Sequence, residues 1–177
     1  MMWNDRPAWD ELLGKLVRST SRYLRAQIAA GCQAVQIFDS WAGSLSPADY
    51  RAYVQPHTRA LIESLPADVP VVNFLNGNPE LFEAQVEAGG QVLGIDWRTD
   101  LRRARRLAGP SRAIQGNLDP IALYTELPVL REHARRVLDA AGSQPGHIFN
   151  LGHGVTPDVP HEHVKALVSM VHELSAR

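Results

Sequence analysis

Val92-Leu93-Gly94-Ile95, then Asp96-Trp97-Arg98, then a run from Asp100 to about Ala108, then Gly109-Pro110, then Arg112-Ala113-Ile114-Gln115 follow one another in the chain. The stretch reads as strand, polar turn, helix, stop and strand. Both apolar runs are as long as a buried parallel strand and lack strict alternation, so both faces are covered. Asp100 opens the helix and Gly109-Pro110 closes it. A strand that returns through a helix is the crossover unit of a parallel sheet.

The same unit recurs on both sides. Further short runs are Ala34-Val35-Gln36-Ile37-Phe38, Val69-Pro70-Val71-Val72-Asn73-Phe74 and His147-Ile148-Phe149-Asn150-Leu151. An opening helix puts Leu13, Leu16 or Val17, Tyr23 or Leu24, and Ile28 on one stripe and stops at Gly31. A second begins at Ser46-Pro47-Ala48-Asp49 as a capping box, with Pro56 expected to bend or break it. A shorter helix follows Asn78-Pro79 and ends at Gly89-Gly90. Another pair starts after Asp119-Pro120 and near Pro128 and closes at Gly142. The last starts near Pro160 and carries Val164, Leu167, Val168 and Val171 inward. Five strands with helical crossovers give an α/β class, either an open doubly wound sheet or part of a (β/α)8 barrel.

With 177 residues, 45% hydrophobic and 21% charged, the chain has the size and composition of one globular domain. Lys plus Arg is 18 and Asp plus Glu 19, a net charge of −1, so no global field attracts nucleic acid or an anionic membrane. Cys32 is the single cysteine and can form neither an internal disulfide nor a Cys-rich zinc site, which suits a reducing, cytoplasmic setting. The start has Asp5 and Pro7 where a signal peptide needs an apolar core, and no apolar run approaches the roughly 20 residues that span a bilayer. Neither nucleic acid nor membrane is an expected partner.

The strand ends hold the polar residues, where α/β proteins place their chemistry. They read Asp39-Ser40-Trp41-Ala42-Gly43, Asn73-Phe74-Leu75-Asn76-Gly77-Asn78, Asp96-Trp97-Arg98, Gln115-Gly116-Asn117-Leu118-Asp119-Pro120 and Asn150-Leu151-Gly152-His153-Gly154, and are expected to converge on one rim. His153, between two glycines that would allow a sharp turn, could donate to an anion or exchange a proton near neutral pH, or merely close a βα turn. Ser40 could donate its hydroxyl to a carboxylate or simply cap its loop, and no Gly-x-Ser-x-Gly surrounds it. Asp39, Asp96, Asp119 and Asp158 show no metal-ligand spacing, and Asp119 before Pro120 has the form of a helix cap. His161-Glu162-His163 puts its histidines on different sides of a helix, so a solvated first turn is the simpler reading. Arg102, Arg103, Arg105 and Arg106 have no interleaved aromatics and read as a solvated outer face. No dinucleotide fingerprint or P-loop is present.

Ile37-Phe38-Asp39-Ser40-Trp41-Ala42-Gly43, Gly94-Ile95-Asp96-Trp97, Gln115-Gly116-Asn117-Leu118-Asp119-Pro120 and Phe149-Asn150-Leu151-Gly152-His153-Gly154 stand in the order found in the uroporphyrinogen decarboxylase family. The chain resembles the C-terminal half of that family, whose members are about twice as long. The resemblance implies a (β/α)8 TIM barrel, here a partial barrel with about the last five βα units, and residues 1–177 as the C-terminal part of one barrel domain. It implies decarboxylation of the four acetate side chains of uroporphyrinogen III to coproporphyrinogen III in heme biosynthesis, without metal or organic cofactor. A porphyrinogen substrate, cytoplasmic location and a homodimer of the full-length protein are implied with it. Ser40 matches the family's serine or threonine that contacts a substrate carboxylate, and His153 matches the histidine of the last strand-end motif. The family's aspartate facing the pyrrole nitrogens, its paired arginines and its cleft tyrosine lie in the N-terminal half. No catalytic residue is therefore expected within this chain, and alone it is expected to be inactive. Five strands cannot close an eight-stranded barrel, so the first and last are expected to keep unpaired edges.

Two other readings compete. A corrinoid methyltransferase of the same barrel superfamily would bind zinc through His-x-Cys and a later cysteine. Here that segment reads Asn73-Phe74-Leu75, His153 stands in the region of the later cysteine, and Cys32 lies elsewhere. The non-enzyme reading is a truncated gene product, with Met1-Met2 an internal start within a longer frame.

Overall fold

A computed structural model describes residues 1–176. They form two compact units, Met1–Leu93 and the chain from Gly94 onward. The elements alternate as the sequence predicts. In the first unit α1 (Arg6–Ala29), β1 (Val35–Asp39), α2 (Pro47–Tyr53), α3 (Gln55–Glu63), β2 (Val71–Leu75) and α4 (Phe82–Ala88) lead into β3 (Val92–Ile95). The second continues with α5 (Leu101–Ala108), β4 (Ala113–Gln115), α6 (Leu127–Ala141), β5 (His147–Ile148) and α7 (His161–Ser175). Short 3-10 turns occupy Ala42–Ser44, Pro79–Leu81 and Pro120–Tyr124. The strand order β1-β2-β3-β4-β5 follows the chain, with β1 parallel to β2 and β4 parallel to β5. Sequential order with helical crossovers is the connectivity of consecutive βα units in a barrel and excludes the strand reversal of an open doubly wound sheet.

In the first unit, Val35 and Val71 are register partners and pack with Leu24, Leu61 and Leu65 beneath α1 and α3. The stripe of α1 resolves in favour of Val17 and Leu24, which pack inward, while Leu16 and Tyr23 are exposed. The Ser46 hydroxyl accepts the Asp49 amide N–H at 3.1 Å and caps α2. Pro56 sits in the first turn of α3 and the chain breaks at Val54, so of the expected bend or break it is the break that forms, giving two helices.

In the second unit, Leu118, Ala122, Leu123, Leu130, Ala134 and Leu167 are buried together. Val164, Met170, Val171 and Leu174 of α7 pack against them. Val168, expected inward, is 52% exposed, because the i, i+3, i+7 stripe of Val164, Leu167 and Val171 points past it. The last strand is shorter than the sequence suggests. Beyond Ile148 the Asn150 side chain accepts the Leu151 amide, and pairing resumes only as a bridge from Leu118 to Leu151.

Candidate active site

At the C-terminal end of β1 the chain turns through Ser40 into the 3-10 turn at Ala42–Ser44. The Gly43 amide donates to the Asn76 carbonyl at 3.1 Å. A Cβ at Gly43 would lie 2.4 Å from that carbonyl oxygen and 2.6 Å from Gly77 Cα, so the loops after β1 and β2 pack backbone on backbone and only glycine fits. Asn78 fastens the same pair of loops, donating from its side-chain nitrogen to the Leu45 carbonyl at 3.2 Å. Ser40 thus stands exposed on an anchored loop, and its sequence neighbours Phe38 and Trp41 are exposed as well. Asp39 beside it is half-buried; loss of water raises its carboxyl above 3.8, against the opposing pull of the Ala42 amide. Tyr50 is fully buried and, among the described residues, its hydroxyl makes no hydrogen bond of good geometry. Burial and the negative charge of Asp39 push its pKa up, against a smaller opposing pull from the Thr58 side chain.

In the second unit three strand ends are tied together. Asp96, at the end of β3, is 1% exposed. It accepts the Arg98 amide at 3.0 Å and pairs with the Arg98 guanidinium at 2.7 Å. That guanidinium lies over the Trp97 ring, 4.0 Å from its centre. Trp97 in turn meets the His153 imidazole edge to face at 6.5 Å and 84°. Asn117, just past β4, donates to the carbonyls of Asp96 at 2.9 Å and Thr99 at 2.7 Å. Gly152 brings the loop after β5 into backbone contact with Asp96 and Trp97. Neither Gly152 nor Gly154 has a positive φ, so the expected sharp turn is not why glycine flanks His153; at Gly152 the reason is space. Beyond His153, Tyr124 bonds Thr156 and donates to Asp158 at 2.6 Å, fastening the far side of the loop. His153 itself is exposed.

The predicted donors therefore sit where expected along their strands: Ser40 after β1 in the first unit, His153 after β5 in the second. Asp119 caps the Pro120–Tyr124 turn by accepting the Ile121 amide at 2.9 Å. Asp96 is a buried anchor for Arg98 and Asp158 a partner of Tyr124. His161 pairs with Glu162 on the surface, but His163 is not merely solvated: its Nδ1 is 2.8 Å from the Leu123 carbonyl. Likewise Arg105 leaves the solvated face to donate to the carbonyls of Gln144 and Pro145. Sequence reasoning overlooked Tyr124 and the structural parts of Trp97 and Asn117; Trp97 and Asn117 stand in strand-end segments, whereas nothing local marks Tyr124. Among the described residues no three His, Cys, Asp or Glu side chains come together as metal ligands. Cys32 is exposed and precedes β1, at the opposite end of that strand from Ser40. No helix of the described residues is long and apolar enough to cross a membrane.

The family model described as uroporphyrinogen decarboxylase (URO-D) matches residues 1–174. The uroporphyrinogen decarboxylase of Carboxydothermus hydrogenoformans is 51% identical over 177 residues, covering 99% of this chain and 51% of the relative. That of Sorangium cellulosum is 51% identical over 175 residues, covering 98% of this chain and 50% of the relative. The chain thus spans about half the length of the curated relatives it matches. Among solved structures a methyltransferase from Methanosarcina mazei superposes with a TM-score of 0.79 at 21% identity, covering 90% of this chain and 48% of the other. That likeness is one of fold.

Proposed function

Because the chain belongs to the uroporphyrinogen decarboxylase family, we propose that residues 1–177 are the C-terminal part of one barrel domain that decarboxylates uroporphyrinogen III to coproporphyrinogen III. In this reading Ser40 and His153 bind substrate carboxylates. The supporting observation is that both are exposed donors on anchored loops at the C-terminal ends of strands, in a chain half identical to named decarboxylases. Each acetate side chain loses its carboxyl group as carbon dioxide, and its CH2 carbon stays on the pyrrole. The electron pair of the breaking C–C bond delocalises into a protonated pyrrole, and a proton then restores a methyl group. Catalysis therefore rests on fixing charges around the pyrrole. A hydroxyl and an imidazole can hold carboxylates in place but cannot stabilise a pyrrole cation. That part belongs to the family's aspartate, outside the motifs matched by this chain. The cytoplasm and a homodimer of the whole enzyme go with the same proposal, as does a reaction without cofactor. The likeness to a methyltransferase, being one of fold, does not carry the corrinoid reading.

The test is a chimera in which residues 1–177 replace the matching segment of the Carboxydothermus hydrogenoformans enzyme. It is expected to form coproporphyrinogen. His153→Ala should lower turnover far more than His172→Ala, an exposed position on α7, once both are corrected for stability. Equal losses, or an undiminished rate in His153→Ala, would remove the assigned role.

A further inference from the structure

At the other end of the strands in the second unit lies a basic cavity that the decarboxylase reading leaves unused. It has a volume of about 490 Å3 and is lined by Arg105, Arg106 and Arg112 together with Gln144 and Pro145. Among the described residues no acidic side chain lines it. Arg105 is half-buried and pinned by two backbone carbonyls, at 3.2 Å from Gln144 and 2.9 Å from Pro145. Among the described residues Arg106 and Arg112 have no hydrogen-bonded or ion-paired partner. The negative end of the α5 dipole accounts for arginines in its last turn, namely Arg105 and Arg106. It does not account for Arg112, which lies beyond the Gly109-Pro110 stop and leads into β4. Three guanidinium groups from two separate segments thus face one space without a carboxylate to neutralise them.

We propose that this cavity is a second ligand site, one that takes a small multivalent oxyanion. Guanidinium forks match the paired oxygens of phosphate and carboxylate groups. The volume falls in the range of small-molecule sites and exceeds what one inorganic phosphate fills. A diphosphate and a tricarboxylate share the required chemistry. The neighbouring His147 fits this electrostatic setting: burial and the nearby Arg105 hold its imidazole toward the neutral form, so it adds little to the local charge.

Calorimetric titration of the full chain with pyrophosphate and, separately, citrate at constant ionic strength tests the site. Saturable binding of one anion per chain is expected for at least one of the two. Pyrophosphate alone would assign a phosphate-type ligand, citrate alone a polycarboxylate, and both a site that reads charge and size. Arg106→Gln and Arg112→Gln should each weaken binding about tenfold or more, since each removes charge-assisted hydrogen bonds. Arg102→Gln, on the same helix but outside the cavity, should leave affinity unchanged. Arg106 is exposed, so its variant keeps the test valid should the half-buried Arg112 prove needed for folding. Absence of saturable binding by both anions, or an equal loss in Arg102→Gln, would overturn the proposal.

Discussion

Gly152→Ala and Gly154→Ala are chemically identical changes on either side of His153, and the structure assigns them opposite outcomes. A Cβ at Gly152 would lie 2.5 Å from the Trp97 amide nitrogen and 3.1 Å from Asp96 Cα, whereas ordinary contact begins at 3.4 Å. The obstructing atoms are backbone, held by the Asn117 bonds to Asp96 and Thr99, so no flexible side chain can swing aside. Forcing an extra carbon into a packed site costs about 1–3 kcal/mol, and a backbone obstacle puts this case near 3. At about 2–4 °C per kcal/mol for a chain of this size, the midpoint of thermal unfolding should fall by roughly 6–12 °C. Gly154 has nothing within 4 Å of its would-be Cβ and no positive φ. Alanine there restricts the unfolded chain without straining the folded one, which is worth about 0.4–1 kcal/mol in favour of the variant. Circular dichroism melts of the two variants and the parent chain measure the difference directly. Should Gly154→Ala melt as low as Gly152→Ala, or Gly152→Ala melt with the parent, the close approach of the two loops is not what places glycine there.

Two further changes probe a half-buried and a buried polar group. The His147 imidazole is held below its ordinary 6.5, first by burial and also by Arg105. The unfolded chain therefore takes up this proton first, so His147's contribution is complete above 6.5 and declines as pH falls through 6.5 toward the folded value. His147→Gln, which retains a donor for the Gly116 carbonyl, should flatten that part of the stability profile measured between about pH 5 and 8; an unchanged slope would assign the proton uptake elsewhere. Tyr50→Phe deletes a buried hydroxyl that makes no hydrogen bond of good geometry among the described residues, and should leave the chain as stable or more stable by up to about 1 kcal/mol in denaturant unfolding. A loss above that size would mean the hydroxyl has a partner in solution.

Much of this architecture is written in short-range signals. The strand at Val92–Ile95 is a continuous apolar run, that at Val71–Leu75 is apolar but for Asn73, and Ser46, Asp100 and Asp119 each cap the helix or turn that they precede. Pro56 breaks its helix wherever that helix packs. Ser40 and His153 could be picked out because strand ends in α/β chains collect polar residues, and their motifs resemble one family. Other features depend on residues remote in sequence. The sequence cannot show that Gly152 must clear the Trp97 backbone, that Tyr124 reaches Asp158, or that His163 meets the Leu123 carbonyl. It presents Arg105 as one of four arginines on a solvated outer face; only folding brings Gln144 and Pro145 to it and adds Arg112 to the same cavity. Val168 differs from Val171 only in which neighbour α7 turns toward. Caps and apolar runs act within a few residues and survive any packing, whereas close approaches, ion pairs and cavities arise only where the crossovers bring separate segments together.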